Sequence, residues 1–304
     1  MRTGLTKRIS AGLVVAGLLG PVGVPALAGG PVEMTPSTIA IRIDLAGRQR
    51  MLLERMSKYF CYARSGVDAA TSVAKLTKAM DLFDQTHKGF KKGDPSQKIF
   101  AEKRDGPKKS WNSVNLMWLP LQGIYNGALA GEFVSEEDFG QSVGLALEAR
   151  KRANDMVAQL RASYTEDLGD GGFGSALLLD LYGRQRMLSQ KLAKEVCLVA
   201  RGFEPDSMPG ELAATFDLFE TSLAAFIDGM PIAGVPKPPT PAIASQLSIA
   251  NTEWQAVRPI GAAVVAGQAV SLRDLALFAV GTDRFLVEMN KAVKLLAAHE
   301  GSSS

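Results

Sequence analysis

Two similar segments carry the side chains best suited to hold an anion. IRIDLAGRQRMLLERMSKYFCYAR occupies 41–64 and LLLDLYGRQRMLSQKLAKEVCLVA occupies 177–200. Each sets two arginines on one turn, Arg48 with Arg50 and Arg184 with Arg186. A guanidinium can grip an oxyanion or carboxylate through two parallel N–H bonds. The competing reading is ordinary helical ion pairing, Asp44 with Arg48 and Asp180 with Arg184 at i, i+4. Glu54 lies one turn past Arg50 and could neutralise it, whereas Gln190 holds the matching place beyond Arg186. Other chemistry is hard to find. No nucleophile stands near a base, no glycine loop is shaped for phosphate, and no metal-ligand spacing occurs. His87 and His299 are isolated in sequence and read as surface residues. Met51, Met56, Met187 and Met289 read as core filler, and Trp118 and Trp254 as core anchors. The expectation is a protein that binds rather than catalyses, with no cofactor and no metal.

The positioning elements follow from an internal repeat. At a constant offset of 136 residues, Asp81-Leu82-Phe83 matches Asp217-Leu218-Phe219, and Phe90 matches Phe226. The same offset pairs Trp118 with Trp254, Val134-Ser135 with Val270-Ser271, and Asn154 with Asn290. An ungapped register this long marks a duplicated unit. Apolar spacing predicts four helices per copy. They fall at about 41–64, 69–91, 108–130 and 135–163, then 177–201, 208–228, 241–266 and 271–298. Val73, Leu76, Met80, Phe83 and Phe90 should form the stripe of the second helix, and Ser135 begins a capping box. The loop PIAGVPKPPTP should run extended over the surface. EDLGDGGFGS (166–175) reads as a glycine-rich linker. The predicted fold is all-α, two tandem antiparallel four-helix bundles at 37–164 and 176–300, joined by a linker at 165–175.

Ahead of them, Arg2, Lys7 and Arg8 precede an apolar run from Ile9 to Leu19, then Pro21, Pro25 and Ala26-Leu27-Ala28. That order is the pattern of a secretory signal peptide over 1–28, cleaved near Ala28. The run falls short of the ~20 residues a spanning helix needs. The expected location is therefore periplasmic or secreted, with no direct membrane span. The formal charge of +3 comes wholly from this segment. Without it, 31 basic residues balance 31 acidic ones, which leaves no electrostatic case for nucleic acid.

The segments Asp44–Leu52 and Asp180–Lys194, built on GRQRML, resemble the first helix of the PilJ/NarX-like sensor family. That family comprises periplasmic N-terminal domains of type IV pili chemotaxis transducers and of nitrate/nitrite sensor kinases. The resemblance also embraces Trp118/Trp254 and Asn154/Asn290. It implies an antiparallel four-helix bundle that binds a small ligand or transmits a conformational change. In the nitrate-sensing branch the first helix pairs across a dimer, and one arginine from each partner grips the anion. Those arginines correspond to Arg50 and Arg186. The GRQRM spelling is closer to the pilus-transducer branch, whose ligand is not implied to be nitrate.

Three expectations follow from the resemblance and the repeat together. The copies should dock as an internal pseudo-dimer. Cys61 and Cys197 each lie 11 residues past the arginine, three turns or roughly 16 Å along the same face. They form either one disulfide across the axis or two separate buried thiols. Arg50 and Arg186 should converge on a small anion, with Gln49, Gln185 and Gln190 as neutral donors. The function so implied is an exported sensor or ligand-binding module for a small molecule, an anion among the candidates. It would need a separate signalling partner, a membrane-bound one included. The alternative is a helical scaffold of the cell envelope.

Overall fold

The computed structural model describes residues 31–203 and 207–303. The expected signal segment lies outside them. Helices α1 (Pro36–Arg64), α2 (Ala69–Lys92), α3 (Asp105–Leu129) and α4 (Glu136–Ser163) make one bundle. Helices α5 (Thr165–Arg201), α6 (Met208–Asp228), α7 (Pro241–Val265) and α8 (Leu272–Ser303) make the second. No strand occurs among the described residues; two isolated bridges, Asp94 with Ile99 and Met230 with Val235, close the short 3₁₀ turns at Pro95–Gln97 and Pro231–Ala233. Both bridges, both turns and the limits of α3 and α7 stand 136 residues apart. The repeat read in sequence is thus a repeat of structure.

Local chemistry sets the helix ends. Thr35 caps α1 in a reciprocal box with Thr38, with Pro36 at the first helical position. Ser135 and Asp138 do the same for α4, and Ser271 with Asp274 opens α8 through matching bonds. Gly93 and Gly229 stop α2 and α6 at φ of 84° and 80°, where a side chain would be strained.

Three expectations need correction. Residues 165–175 are not an irregular linker, because α5 begins at Thr165 and runs unbroken to Arg201. Tyr164, buried at the joint, donates to Glu102, and Arg104 bonds both the Ser163 carbonyl and Asp167. Such tertiary anchoring outweighs a helix cost of ~1 kcal/mol per glycine. Val73 is exposed, because Ser72 takes the inward place and donates to the Val67 carbonyl. The proline-rich loop opens on the 3₁₀ turn at Pro231 instead of running extended throughout.

The seam between α1 and α5 is the most extensive helix contact among the described residues. The two helices run parallel and in register, since cross-seam bonds link 44 to 186, 50 to 180, 54 to 194 and 61 to 197. Both are therefore apolar well beyond one stripe. Ala46, Leu53, Met56 and Tyr62 are buried on α1, as are Leu192, Ala193, Val196 and Leu198 on α5. One core runs through both bundles. Met51, Met56, Met187 and Met289 lie inside it, as do Trp118 against Phe83 and Trp254 against Phe219.

Candidate functional site

The seam holds its charges by exchange. Arg50 bonds Asp180 of the other copy, while its remaining donors reach Asn154 Oδ1 at 3.0 Å and the Gly47 carbonyl at 3.3 Å. Arg186 bonds Asp44 at 2.5 Å and Asn290 at 3.2 Å. These are one set of contacts written twice about a pseudo-twofold axis. The glycine of GRQR has a physical role here. A Cβ on Gly47 or Gly183 would stand 3.1 Å from the guanidinium of Arg50 or Arg186, so glycine lets each fold back along its helix. Asp180 is enclosed and also takes Arg161 at 3.1 Å and Arg184 at 3.4 Å. Asp44 is more open, with 29% of its side chain exposed. Arg48 leaves Asp44 and instead donates to Thr86 and Gln97 at 3.2 and 3.0 Å. Burial pushes the Arg50 guanidinium pKa down; Asp180 opposes this, while Arg184 and Arg186 push it further down. Burial also lowers Arg48, against Asp44 and with Arg186. Five guanidinium groups thus stand around two carboxylates.

A second exchange lies one to two turns along. Lys194 bonds Glu54 at 2.8 Å, and Lys58 reaches the matching Gln190 at 3.2 Å. Glu54 therefore does not neutralise Arg50; it serves Lys194 and Arg150, the latter at 2.9 Å. Gln190 has no charge to offer, so Lys58 takes Asp283 at 2.9 Å from α8, with the Ala279 carbonyl and Thr282 Oγ1 at 3.0 Å. Asp283 also takes Lys75 at 2.9 Å, Arg55 at 3.4 Å and the Tyr59 hydroxyl. Burial lowers the Lys58 pKa to about 8 despite Asp283, and the cations around Asp283 hold its carboxyl well below the usual range against its burial. Sequence reasoning missed Asp283 and Arg150. Their matching residues are Leu147 and Leu286, so neither is part of the repeat. The signal was available in the differences between copies: each buried charge gained or lost at 54/190 is answered at 150/286 or 147/283.

The three expected glutamine donors do not join the arginines. Gln185 spans to α6, donating to the Phe219 carbonyl at 2.9 Å and accepting from Ser222 at 2.7 Å. Gln190 accepts from Lys58 and donates to Ser189 and the Thr282 carbonyl. Gln49 is buried with neither amide atom hydrogen-bonded. The residue before each arginine is turned by about 100° around the helix, away from the seam. Cys61 and Cys197 are joined in a disulfide with Cα atoms 6.3 Å apart, both buried. His87 is not on the surface. It is buried between Phe83 and Trp111, because it follows Phe83 by one turn on the packed face of α2, and burial pushes its pKa down to about 4.

Among the described residues no cluster of metal-ligating side chains occurs, and no helix is long and apolar enough to cross a membrane. The family model described as the type IV pili methyl-accepting chemotaxis transducer N-terminal region matches residues 39–130 and 174–277. The chain belongs to this family. The two matched segments open on α1 and near the middle of the first half of α5, so a PilJ unit is present in each copy. Membership makes the chain a sensory helical module related to chemotaxis signalling. No curated protein matches the chain.

Proposed function

We propose that this chain is an exported, soluble sensory module that receives a small oxyanion at the α1–α5 seam and passes the change to a separate, membrane-bound partner. The observation that carries this reading is the charge excess there, with Arg48, Arg50, Arg161, Arg184 and Arg186 around only Asp44 and Asp180. Like charges in a partly desolvated interface repel, and a bound anion relieves that cost. Asp180 is enclosed, so the incoming group would displace the more open Asp44 from Arg186. Losing Asp44 from Arg186 removes one of the two mirrored bonds between the copies, a change a partner can read. Gln185 and Gln190 make their bonds elsewhere and Gln49 bonds neither arginine, so the three glutamines take no part in this scheme.

Calorimetry with nitrate, nitrite, sulfate and acetate, none of which has an aromatic body, tests it. Wild type should bind at least one of them at millimolar concentration or below. Arg186→Ala should bind none, and Asp44→Asn should bind more tightly because the internal competitor loses its charge. A second reading, a static envelope scaffold, draws on the enclosure and full bonding of the Arg50–Asp180 pair. Absence of binding by every anion, or equal binding by Arg186→Ala, would leave the scaffold in its place.

A further inference from the structure

A cavity of about 230 Å³ opens between the C-terminal end of α2 and the start of α3, lined by Phe90, Lys91, Glu102, Lys108, Trp111 and Asn112. It lies in the first bundle and shares no residue with the seam. Its walls are of two kinds. Phe90 is buried, and the half-buried indole of Trp111 is fixed by stacking on His87 at 4.7 Å and by donating to the His87 carbonyl at 2.6 Å. The rim carries two ammonium groups. Lys91 lies 5.0 Å from the Trp111 ring centre, and Lys108 reaches only the Lys103 carbonyl at 2.8 Å. Neither is paired with a carboxylate among the described residues.

The one acid in the lining cannot answer them. Glu102 is committed to buried Arg42 at 3.0 Å, to the Tyr164 hydroxyl at 2.8 Å and to the backbone amides of Lys103 and Arg104. Its charge is spent inside the protein. The cavity therefore offers a rigid apolar wall beneath an uncompensated positive rim.

The repeat supplies an internal control. At the matching places the second copy has Ile227, Pro238, Ala244, Leu247 and Ser248, with only Phe226 retained. Both ammonium groups, the indole and the acid that fixes Arg42 are particular to the first copy, and Arg42 itself is matched by Leu178. A general need of the bundle would have kept them in both.

We infer that this cavity is a second ligand site, for a small carboxylate with a flat apolar body, distinct from the anion site at the seam. The carboxylate would sit between Lys91 and Lys108, and the apolar body would lie against Phe90 and the edge of Trp111. Charge-assisted bonds of this kind are the stronger class of hydrogen bond, and the aromatic wall selects against small inorganic anions.

Benzoate is the probe, with acetate and nitrate as controls, read by tryptophan emission of the full chain. Trp118 and Trp254 are buried, so Trp111 is the indole that a bound ligand can touch. Benzoate should change the emission saturably, and acetate and nitrate should be at least tenfold weaker. The exposed pair Lys91→Gln/Lys108→Gln should bind benzoate roughly tenfold or more weakly without loss of fold. Trp111→Leu, the residue of the second copy, should abolish the emission change and weaken benzoate binding by calorimetry. Arg186→Ala should bind benzoate as wild type does, which separates this site from the seam. The inference is overturned by no saturable change at millimolar benzoate, by unaltered binding in the double variant, by acetate binding as well as benzoate, or by loss of binding in Arg186→Ala.

Discussion

Removing the Cys61–Cys197 bond is the sharpest perturbation of the seam. The bond joins positions 136 residues apart, so it constrains half of the unfolded chain at once. On the loop-entropy description a closure of that size is worth about 5 kcal/mol, and native disulfides of small domains commonly deliver about 2–5. Unfolding entropy near 2.1 cal/mol/K per residue, over the 270 residues described, amounts to about 0.57 kcal/mol/K. Dividing one by the other gives a fall in Tm of about 4–9 °C for Cys61→Ala/Cys197→Ala. Both sulfurs are buried and the alanines leave no unpaired polar group, so the lost constraint should dominate. Calorimetric melts of native protein, reduced protein and the double variant measure it, with the last two falling together. Intact mass after alkylation without reductant is the companion assay. Two labelled cysteines in native protein would refute the bridge, and a shift below about 2 °C would refute its energetic role.

Other consequences follow from the buried charges. Asp283→Asn strands the enclosed Lys58 beside Arg55 and Lys75, so urea unfolding should show a loss of about 3–5 kcal/mol, with Lys58→Met in the same chain restoring most of it; a single-variant loss under about 1 kcal/mol would count against the cluster. Asp180→Asn should cost about 3 kcal/mol and Asp44→Asn about 1, because Asp180 is enclosed among three guanidinium groups and Asp44 is part-open to water; equal costs would contradict that asymmetry. His87 titrates near 4 when folded and about 6.5 when unfolded, so the unfolded chain binds more protons between these values. Stability should therefore fall as pH drops through that window, by about 3 kcal/mol, and His87→Leu should remove that portion of the slope in urea titrations.

Much of the fold could be read from residues. The 136-residue register carries the Ser135 and Ser271 caps, the two 3₁₀ turns and the contacts of Trp118 and Trp254, and Ser135 with Asp138 starts α4 where the capping pattern placed it. What escaped was decided by contacts distant in sequence. Four glycines between 166 and 175 argue locally for a break, yet α5 runs through them because Tyr164 and Arg104 tie the joint to Glu102, Ser163 and Asp167. His87 looked isolated because its partners are rings one turn away on its own helix and on α3.

At the site, the arginines were legible and their partners were not. Local spacing offered Asp44 to Arg48 and Asp180 to Arg184, but the stronger bonds run from each aspartate to the arginine of the other copy, six residues on in the motif. A single copy cannot reveal this, since within one helix positions six apart lie about 120° apart around the axis and do not meet. The duplication explains why the exchange persists as the copies diverge. A change at one buried charge leaves its cross-seam partner unpaired, and the cost of a stranded charge favours a second change nearby. Glu54 with Arg150, and Lys58 with Asp283, are two such answers, each on one side only. The bonds of Arg50 and Arg186 are thus mirrored, but their carboxylates differ in enclosure and the charges one turn beyond differ again, so the anion proposed for the arginines would meet two copies that respond unequally.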